Sequence, residues 1–283
     1  MQRIIYFVLI VFGISVTLLF VLAGSLASPR MHLVGEPPKG FNVEQVTIDA
    51  SGGHTIAGWF VEGEPEKAGI LLLHSVRSDR TEMIGRGKFL LKAGYSVLLI
   101  DMQAHGETHG ENITFGVKES EDAHTALDFL RRRVHRGKVG VIGVSLGGAA
   151  ALLGKSPIEA DAVILEGVYS SIEKAVENRV AMRLGRLGAY LAPLLTWQIE
   201  VRLDISIEDL SPIKAISTLG SPVFIVAGSE DKRTVIAESR LLFERANGPK
   251  ELWIIEGAKH QDFHKFAGKE YEKQVRRFFQ KYL

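Results

Sequence analysis

The sequence contains no cysteine. This absence excludes a disulfide framework, a thiol nucleophile and metal sites built from thiolates. An excess of charge is also missing, because 34 lysines and arginines stand against 33 aspartates and glutamates, for a formal net charge of +1 in 283 residues. The composition therefore gives no reason to expect nucleic acid as a partner. There is no internal repeat, and the 46% hydrophobic content is that of a globular protein with some added apolar sequence.

The added apolar sequence lies at the amino terminus, where residues 4–26 carry no charge and residues 4–23 are almost wholly aliphatic or aromatic. A transmembrane helix needs about 20 such residues, whereas the apolar part of a signal peptide has roughly 7–15. We therefore expect residues 1–27 to anchor the protein in a membrane and residues 28–42 to form a linker, with the following domain outside the cytoplasm. Ser25 and Ala27 form an acceptable cleavage site, so secretion after signal removal at Ala27 is the alternative.

Strand-like and helical patterns alternate after the linker. Residues 43–50 and 54–61 flank a Ser-Gly-Gly turn and are predicted to form an antiparallel hairpin. Further strands are predicted at residues 69–74, 96–101, 138–144, 161–165, 222–227 and 251–255, and helices at residues 82–93, 119–134, 146–154, 234–246 and 269–282. The alternation predicts an α/β fold over residues 43–283, with a mostly parallel eight-stranded sheet and helices on both faces. Functional side chains of such a sheet gather at the carboxyl ends of its strands.

One motif at such a strand end is Gly143-Val144-Ser145-Leu146-Gly147. A short β-branched run precedes it and a small-residue, helix-compatible run follows it. This is the strand–turn–helix context of a G-x-S-x-G nucleophile elbow, in which a strained backbone exposes the serine hydroxyl. Side chains at the two outer glycines would collide with the neighbouring strand and helix. The motif predicts that Ser145 is a nucleophile.

Two later strand ends carry the partners that a serine nucleophile needs. The strand at residues 222–227 leads into a turn with Asp231, and the strand at residues 251–255 leads to His260. A serine hydroxyl is a weak nucleophile until an imidazole takes its proton, and a carboxylate holds that imidazole in the required tautomer. The three residue types that this chemistry needs therefore follow three strands, in the chain order Ser145, Asp231, His260. Glu166, at the end of the strand at 161–165, and Glu230 are the alternative acids.

Metal binding is the competing interpretation of the histidines. His260 and His264 lie four residues apart around Asp262, and His105 and His109 lie four apart around Glu107. That spacing places two ligands on one face of a helix. Neither segment has a convincing apolar helical pattern, so we expect no metal. The serine mechanism also requires no cofactor.

Several stretches resemble the α/β-hydrolase fold of single-domain serine hydrolases, the group that includes esterases and related serine peptidases. They are residues 71–76, 101–108, 143–147, 228–231 and 257–260. In this group the loop resembling residues 101–108 shapes the site, so the resemblance implies that His105 is structural and not the catalytic base. It also implies an oxyanion hole from the backbone amides of Val76 and Leu146. Ser75 stands where the family usually has glycine, so either the loop geometry varies or the Ser75 hydroxyl adds a donor.

The segment between the strands at 161–165 and 222–227 is too long for a simple crossover, so we expect a small helical cap over about residues 170–219. The cap has an apolar stripe at helical spacing, formed by Val176, Val180, Leu184, Leu187 and Leu191. This stripe packs on the core or covers Ser145, together with Trp197, as a pocket for acyl chains or aromatic groups.

These features predict a serine hydrolase that cleaves a carboxylic ester or related acyl bond of a small molecule. A serine peptidase or thioesterase is the alternative within enzymes, and Arg179 or Arg202 could hold a peptide terminus. A non-catalytic binding protein that keeps the fold is the alternative of another class.

Overall fold

The computed structural model of the chain describes residues 24–135 and 137–283, together with Tyr6 and Gly13. Its strands are β1 (Arg30–Met31), β2 (Glu44–Asp49), β3 (Thr55–Val61), β4 (Gly69–Leu73), β5 (Ser96–Ile100), β6 (His105–Gly106), β7 (Val139–Val144), β8 (Ala162–Glu166), β9 (Val223–Gly228) and β10 (Lys250–Ile255). Its α-helices are α1 (Ile84–Lys92), α2 (Val117–Arg133), α3 (Leu146–Leu152), α4 (Ile172–Gly188), α5 (Ala192–Leu203), α6 (Pro212–Ala215), α7 (Ile236–Arg245) and α8 (Phe263–Tyr282). Short 3₁₀ helices lie at Arg80–Met83, Ala189–Leu191, Ile207–Leu210 and Ile216–Thr218.

Eight of these strands form one sheet in the order β10-β9-β8-β7-β4-β5-β3-β2. The β2–β3 and β3–β5 pairs are antiparallel, and the other neighbours are parallel. The predicted mostly parallel eight-stranded sheet and its amino-terminal hairpin are therefore confirmed. The carboxyl ends of β4, β7, β8, β9 and β10 meet at one edge, where the predicted site residues follow.

Helices cover both faces because the central strands are apolar on both sides. In β4, Leu71 and Leu73 point into one core cluster and Ile70 and Leu72 into the other. The first cluster receives side chains of α2, α3 and α7, and the second receives those of α1 and α8. Strands that are buried on both faces are continuous apolar runs, which is the pattern that the sequence shows.

The predicted cap corresponds to α4, α5 and the short helices between β8 and β9. Its first helix is not continuous, because Gly185 has φ 69° and ψ −171°, values outside the helical region. The predicted stripe is therefore broken. Val176 is buried in the core, whereas Leu184 is 60% exposed; the side chain of Leu187 lies outside the described part of the chain.

The amino-terminal segment contacts the domain in the part that is described. Residues 24–27 are helical, and the carbonyl of buried Ala27 accepts a hydrogen bond from the Ile113 amide at 2.8 Å. Within the segment expected to be a linker, β1 pairs in parallel with β6. None of the helices that the structure describes is long and apolar enough to cross a membrane. The apolar run at residues 4–23 lies outside the described residues, apart from Tyr6 and Gly13.

Candidate active site

Ser145 lies in the sharp turn between β7 and α3. Its backbone has φ 49° and ψ −104°, a strained conformation for a residue with a side chain, and its amide donates to the Glu166 carbonyl at 2.8 Å. The glycines of the motif permit this turn. A Cβ at Gly143 would lie 2.6 Å from the backbone of Gly147, and one at Gly147 would overlap the Leu73 carbonyl. The backbone geometry is that of the predicted nucleophile elbow.

His260 and Asp231 meet at the same edge of the sheet, on the loops that follow β10 and β9. His260 Nδ1 lies 2.7 Å from Asp231 Oδ2. Asp231 also accepts hydrogen bonds from the amides of Arg233 and Thr234 and from the Thr234 hydroxyl, at 2.7 to 3.0 Å. Because an ionised carboxylate only accepts, His260 donates its Nδ1 proton to Asp231, which makes Nε2 the acceptor in the neutral imidazole.

The His260 ring lies beside Gly167, the residue after β8. A Cβ at Gly167 would lie 3.3 Å from His260 Cε1. Glu166 pairs with Val144 in the sheet, so the ring lies near the Ser145 turn. No hydrogen bond joins Ser145 to His260 among the described residues. Such bonds are often long before substrate binds.

Competing effects set the pKa of Asp231. Burial raises this pKa, but the hydrogen bonds from His260 and Thr234 favour the ionised form and outweigh it, so the pKa lies below its ordinary value. Thr234 was not among the residues predicted from the sequence. Its position three residues after Asp231 could have identified it, because at that spacing in a turn its amide and hydroxyl can both donate to the carboxylate.

Glu166, an alternative acid, has other partners. Its carboxylate is fully buried and binds the guanidinium of Arg86, with Nη2 to Oε2 at 2.6 Å, and accepts from the hydroxyl of Tyr271. Arg86 Nη1 also lies 3.0 Å from Asp262. Glu166 therefore neutralises a buried arginine and is not bonded to His260. Glu230 is exposed and has no hydrogen bond to His260 within the described chain.

The predicted oxyanion donors lie on adjacent turns. Leu73 pairs with Gly143 at the ends of β4 and β7, so the loop bearing Val76 runs beside Leu146. Neither amide donates to another group among the described residues, which leaves both N–H groups available. Ser75 does not add a donor, because its amide and hydroxyl both bind Glu82, at 2.7 to 3.0 Å.

His105 is wholly buried and cannot meet a substrate. Its Nδ1 donates to the Gln103 carbonyl at 2.9 Å, and its Nε2 has no partner among the described residues. Burial, followed by the charge of His74, lowers the pKa of His105 to about 3, so the ring is neutral. In the same loop, Asp101 binds Arg80 and accepts from the Glu107 amide at 2.9 Å. The loop is therefore structural, as expected from the resemblance.

The cap reaches the acid loop through α4. Asn178 Nδ2 donates to the Arg233 carbonyl at 3.1 Å and to Glu238 at 2.6 Å. Burial, and then the charge of Arg233, lowers the pKa of Arg179 while Asp231 opposes the shift. Arg179 is therefore a half-buried cation near the candidate site.

Trp197 lies on the outer side of α5. It is 54% exposed on the side of α5 opposite the buried Ala192, Thr196 and Ile199. Another stripe of α5 packs on the domain, and the expectation that Trp197 lines an acyl pocket stays a prediction.

The alternative metal sites do not assemble. His264 Nε2 lies 3.2 Å from Glu272, away from the His260–Asp231 pair. In the described part of the chain no cluster of three histidine or carboxylate groups could hold a metal ion. A cleft of about 900 Å³, lined by residues 152–161 and by residues between 208 and 222, lies at the amino-terminal ends of β8 and β9. None of the predicted site residues lines this cleft, because they lie at the opposite edge of the sheet.

Comparisons with known proteins agree with the fold. Residues 70–273 match the model of the alpha/beta hydrolase family. The Bacillus subtilis protein YqkD, itself described as an uncharacterized protein, is 24% identical over 235 residues, which cover 82% of this chain and 77% of YqkD. The esterase Pf2001 of Pyrococcus furiosus superposes with a TM-score of 0.74 at 23% identity, covering 91% of this chain and 98% of that one. An esterase of Exiguobacterium antarcticum has a TM-score of 0.60 at 15% identity, covering 84% and 100%.

Proposed function

We propose that this chain, which belongs to the alpha/beta hydrolase family, is a serine hydrolase that cleaves carboxylic esters. The observation that carries the proposal is the 2.7 Å hydrogen bond between His260 Nδ1 and Asp231 Oδ2, at the sheet edge that bears Ser145. The strained backbone of Ser145 supports it independently. Structural strain of this kind is maintained where a side chain must be presented for chemistry.

In the proposed reaction, Ser145 Oγ attacks the ester carbonyl and His260 Nε2 takes the hydroxyl proton. The carbonyl oxygen becomes an oxyanion, which accepts hydrogen bonds from the amides of Val76 and Leu146. One such donor contributes about 3–4 kcal/mol to transition-state stabilisation. Collapse of the tetrahedral intermediate expels the alcohol, which receives the proton from His260, and leaves an acyl group on Ser145.

Water completes the cycle. It attacks the acyl carbonyl while His260 takes one of its protons, and the acid leaves as Ser145 recovers its hydrogen from His260. Asp231 remains ionised throughout and holds the imidazole in the tautomer that leaves Nε2 unprotonated at the start. These steps need only a small-molecule acyl substrate and water, without a metal or cofactor.

A serine peptidase or thioesterase is the second candidate, and Arg179 is the observation that favours it. A half-buried guanidinium near the acid loop could bind a carboxylate of the substrate. Faster cleavage of aminoacyl amides than of esters, and loss of that preference in Arg179→Gln, would favour this candidate over the esterase.

We also propose that residues 1–27 are retained as a membrane anchor, with the domain outside the cytoplasm. The uncharged run at residues 4–23 has the length of a bilayer span. The packing of Ala27 against the domain supports retention, because cleavage at Ala27 would remove these contacts. Secretion after cleavage is the alternative, and amino-terminal sequencing distinguishes them: a mature chain that starts at Ser28 has been cleaved.

The esterase proposal is tested by hydrolysis of p-nitrophenyl butyrate. Ser145→Ala should lower kcat by a factor on the order of 10⁶. The matched control is Ser217→Ala, which removes a hydroxyl bonded to the Lys214 carbonyl away from the candidate site and should leave the rate near wild type. A Ser145→Ala enzyme with wild-type activity would overturn the proposal. In a series of longer acyl chains, each buried methylene should raise kcat/KM about fourfold, from about 0.8 kcal/mol, until the pocket is filled.

A further inference from the structure

Helix α5 carries an apolar stripe that does not face the protein. Ala192, Thr196, Ile199 and Leu203 form its buried side. On the opposite side lie exposed apolar side chains at helical spacing, continued one turn before the helix: Tyr190, Leu194, Trp197 and Val201. Tyr190 is 83% exposed and Val201 is 60% exposed. A helix that is apolar on two opposite sides requires a second apolar environment.

The exposed apolar groups of the described chain are concentrated around this stripe. We call the four side chains of this stripe the outer cap face: Tyr190, Leu194, Trp197 and Val201. Two further exposed apolar side chains, Met182 and Leu184, lie on α4. A further three lie in the segment that follows the amino-terminal apolar run, at Leu26, Met31 and Leu33. Single exposed apolar residues are ordinary, whereas a cluster marks a surface that meets another apolar phase.

The amino-terminal run ends next to this cap. A Cβ at Gly24 would lie 2.9 Å from Nη1 of Arg202, a residue of α5. The carbonyl of Ser25 accepts a hydrogen bond from Arg77 Nη1 at 2.9 Å, in the loop that bears Val76. Residues 24 and 25 therefore lie between the cap and the proposed oxyanion loop. A bilayer that holds residues 4–23 must begin beside the cap and the candidate site.

The composition of the cap matches a lipid surface. Residues 172–203 contain five lysines and arginines against three glutamates, an excess of two positive charges, and Arg183 among them is exposed. Arginines attract anionic headgroups, and tyrosine and tryptophan favour the boundary between headgroups and acyl chains. A basic, apolar helix pair with aromatic residues on its exposed side is typical of segments that lie in the plane of the interface.

We propose that the outer cap face lies in the headgroup region of an anionic bilayer, so that the Ser145 site opens beside the membrane and takes esters that partition into it. The docking of the cap rests on the exposed apolar face, on the end of the amino-terminal run beside it and on the proposed membrane anchor, and it does not depend on the esterase function. The choice of substrate class rests on the esterase function proposed above.

The absence of cysteine allows a direct test with the full-length chain. Single cysteines at Tyr190 and Trp197 carry a nitroxide, and Leu241→Cys and Phe266→Cys are matched controls at exposed apolar positions outside the cap and the amino-terminal segment. The protein is reconstituted in vesicles of phosphatidylcholine and phosphatidylglycerol. Frequent collisions of the nitroxide with oxygen indicate a lipid environment, and frequent collisions with an aqueous nickel complex indicate exposure to water.

The cap labels should be shielded from nickel, accessible to oxygen and about 5–10 Å below the headgroup level, while the control labels stay aqueous. Cap labels as accessible to nickel as the controls would overturn the proposal. Low accessibility to both reagents would also overturn it, because a protein surface, from the same chain or a second copy, would then cover the face.

A second arm separates this proposal from the esterase function. Val201→Asp should slow hydrolysis of a long-chain ester held in the vesicles and leave hydrolysis of dissolved p-nitrophenyl butyrate unchanged, with Leu241→Asp as the control. If the wild type hydrolyses neither ester, the proposed function fails while the nitroxide result still decides the docking. Equal rates of Val201→Asp and wild type on the vesicle-borne ester would contradict the proposed substrate class.

Discussion

Asp231 and Glu166 are buried carboxylates at the carboxyl ends of neighbouring strands, yet they have opposite surroundings. Asp231 accepts hydrogen bonds from His260, Thr234 and backbone amides. Glu166 is bound by the guanidinium of Arg86 and the hydroxyl of Tyr271. The first carboxylate holds a group that can exchange protons with solvent or substrate. The second neutralises a permanent charge.

The difference shows that position at the carboxyl edge of the sheet does not by itself suit a carboxylate to orient a base. An arginine stays protonated, so Glu166 cannot influence a proton transfer through Arg86. An imidazole can both take up and release a proton, so Asp231 can act on a proton transfer through His260. Partner identity separates a structural carboxylate from one suited to orient a base.

The largest effect is expected when only the negative charge of each carboxylate is removed and the two variants are compared. Asp231→Asn should lower kcat by a factor on the order of 10⁴, because an amide can stabilise the wrong tautomer of His260. Glu166→Gln should leave kcat of the folded protein near wild type. Both are measured with p-nitrophenyl butyrate at equal concentrations of folded protein. A larger loss in Glu166→Gln than in Asp231→Asn would reverse the assignment.

Stability should show the opposite order. Glu166→Gln leaves the buried charge of Arg86 with Asp262 as its remaining carboxylate partner, beside the hydroxyl of Tyr271, and it should lower the free energy of unfolding by about 3 kcal/mol. Glu230→Gln, at an exposed carboxylate, should change it by less than about 0.5 kcal/mol. Denaturant titration measures both. Equal stability of the two variants would mean that the buried ion pair is not structural.

The buried histidine His105 predicts how the stability of the protein depends on pH. The pKa of buried His105 is lowered to about 3, from an ordinary value of about 6.5 in the unfolded chain. Below pH 6.5 the unfolded state binds a proton that the folded state does not. Stability from this residue is therefore fully present above about pH 6.5 and falls by about 1.4 kcal/mol per pH unit toward pH 3.

His105→Gln should make this pH dependence shallower, in denaturant titrations repeated between pH 7 and 4. His124→Gln, at a histidine that is not buried, is the control and should keep the wild-type slope. Parallel wild-type and His105→Gln curves would show that His105 is not kept neutral by the fold.

The smallest effect concerns the support of Asp231. Thr234→Val removes the 2.7 Å hydrogen bond from the hydroxyl while keeping the shape of the side chain. It should lower kcat/KM about fivefold, for a loss of about 1 kcal/mol. Thr218→Val, whose hydroxyl binds the Ala215 carbonyl outside the site, should have no effect on kcat/KM. An unchanged Thr234→Val enzyme would leave Asp231 held by its amide bonds alone.

The fold was predictable because its signals are local. Continuous apolar runs alternate with helical segments, and the Ser145 motif, Asp231 and His260 each follow one of these runs directly. Chain order was enough to group them. The role of Glu166 was not predictable, because its partners lie 80 and 105 residues away and nothing near Arg86 or Tyr271 in the sequence indicates that they meet it.

The cap shows the limit of periodicity. Helix α5 has apolar side chains on opposite sides, so spacing alone could not tell which stripe meets the domain. The positive φ of Gly185, which breaks the predicted stripe of α4, depends on the tertiary path of the chain. Likewise, the departure at Ser75 was visible, but its pairing with Glu82 depended on how the loop folds.

Covalent labelling tests most directly whether Ser145 is a nucleophile activated by the His260–Asp231 pair. The full-length protein is treated with a fluorophosphonate and digested, and the modified peptide is sequenced by mass spectrometry. We predict one adduct, on Ser145, that is formed by Glu166→Gln at the wild-type rate and is nearly abolished in His260→Ala. Wild-type labelling of His260→Ala, or an adduct on another residue, would contradict the account.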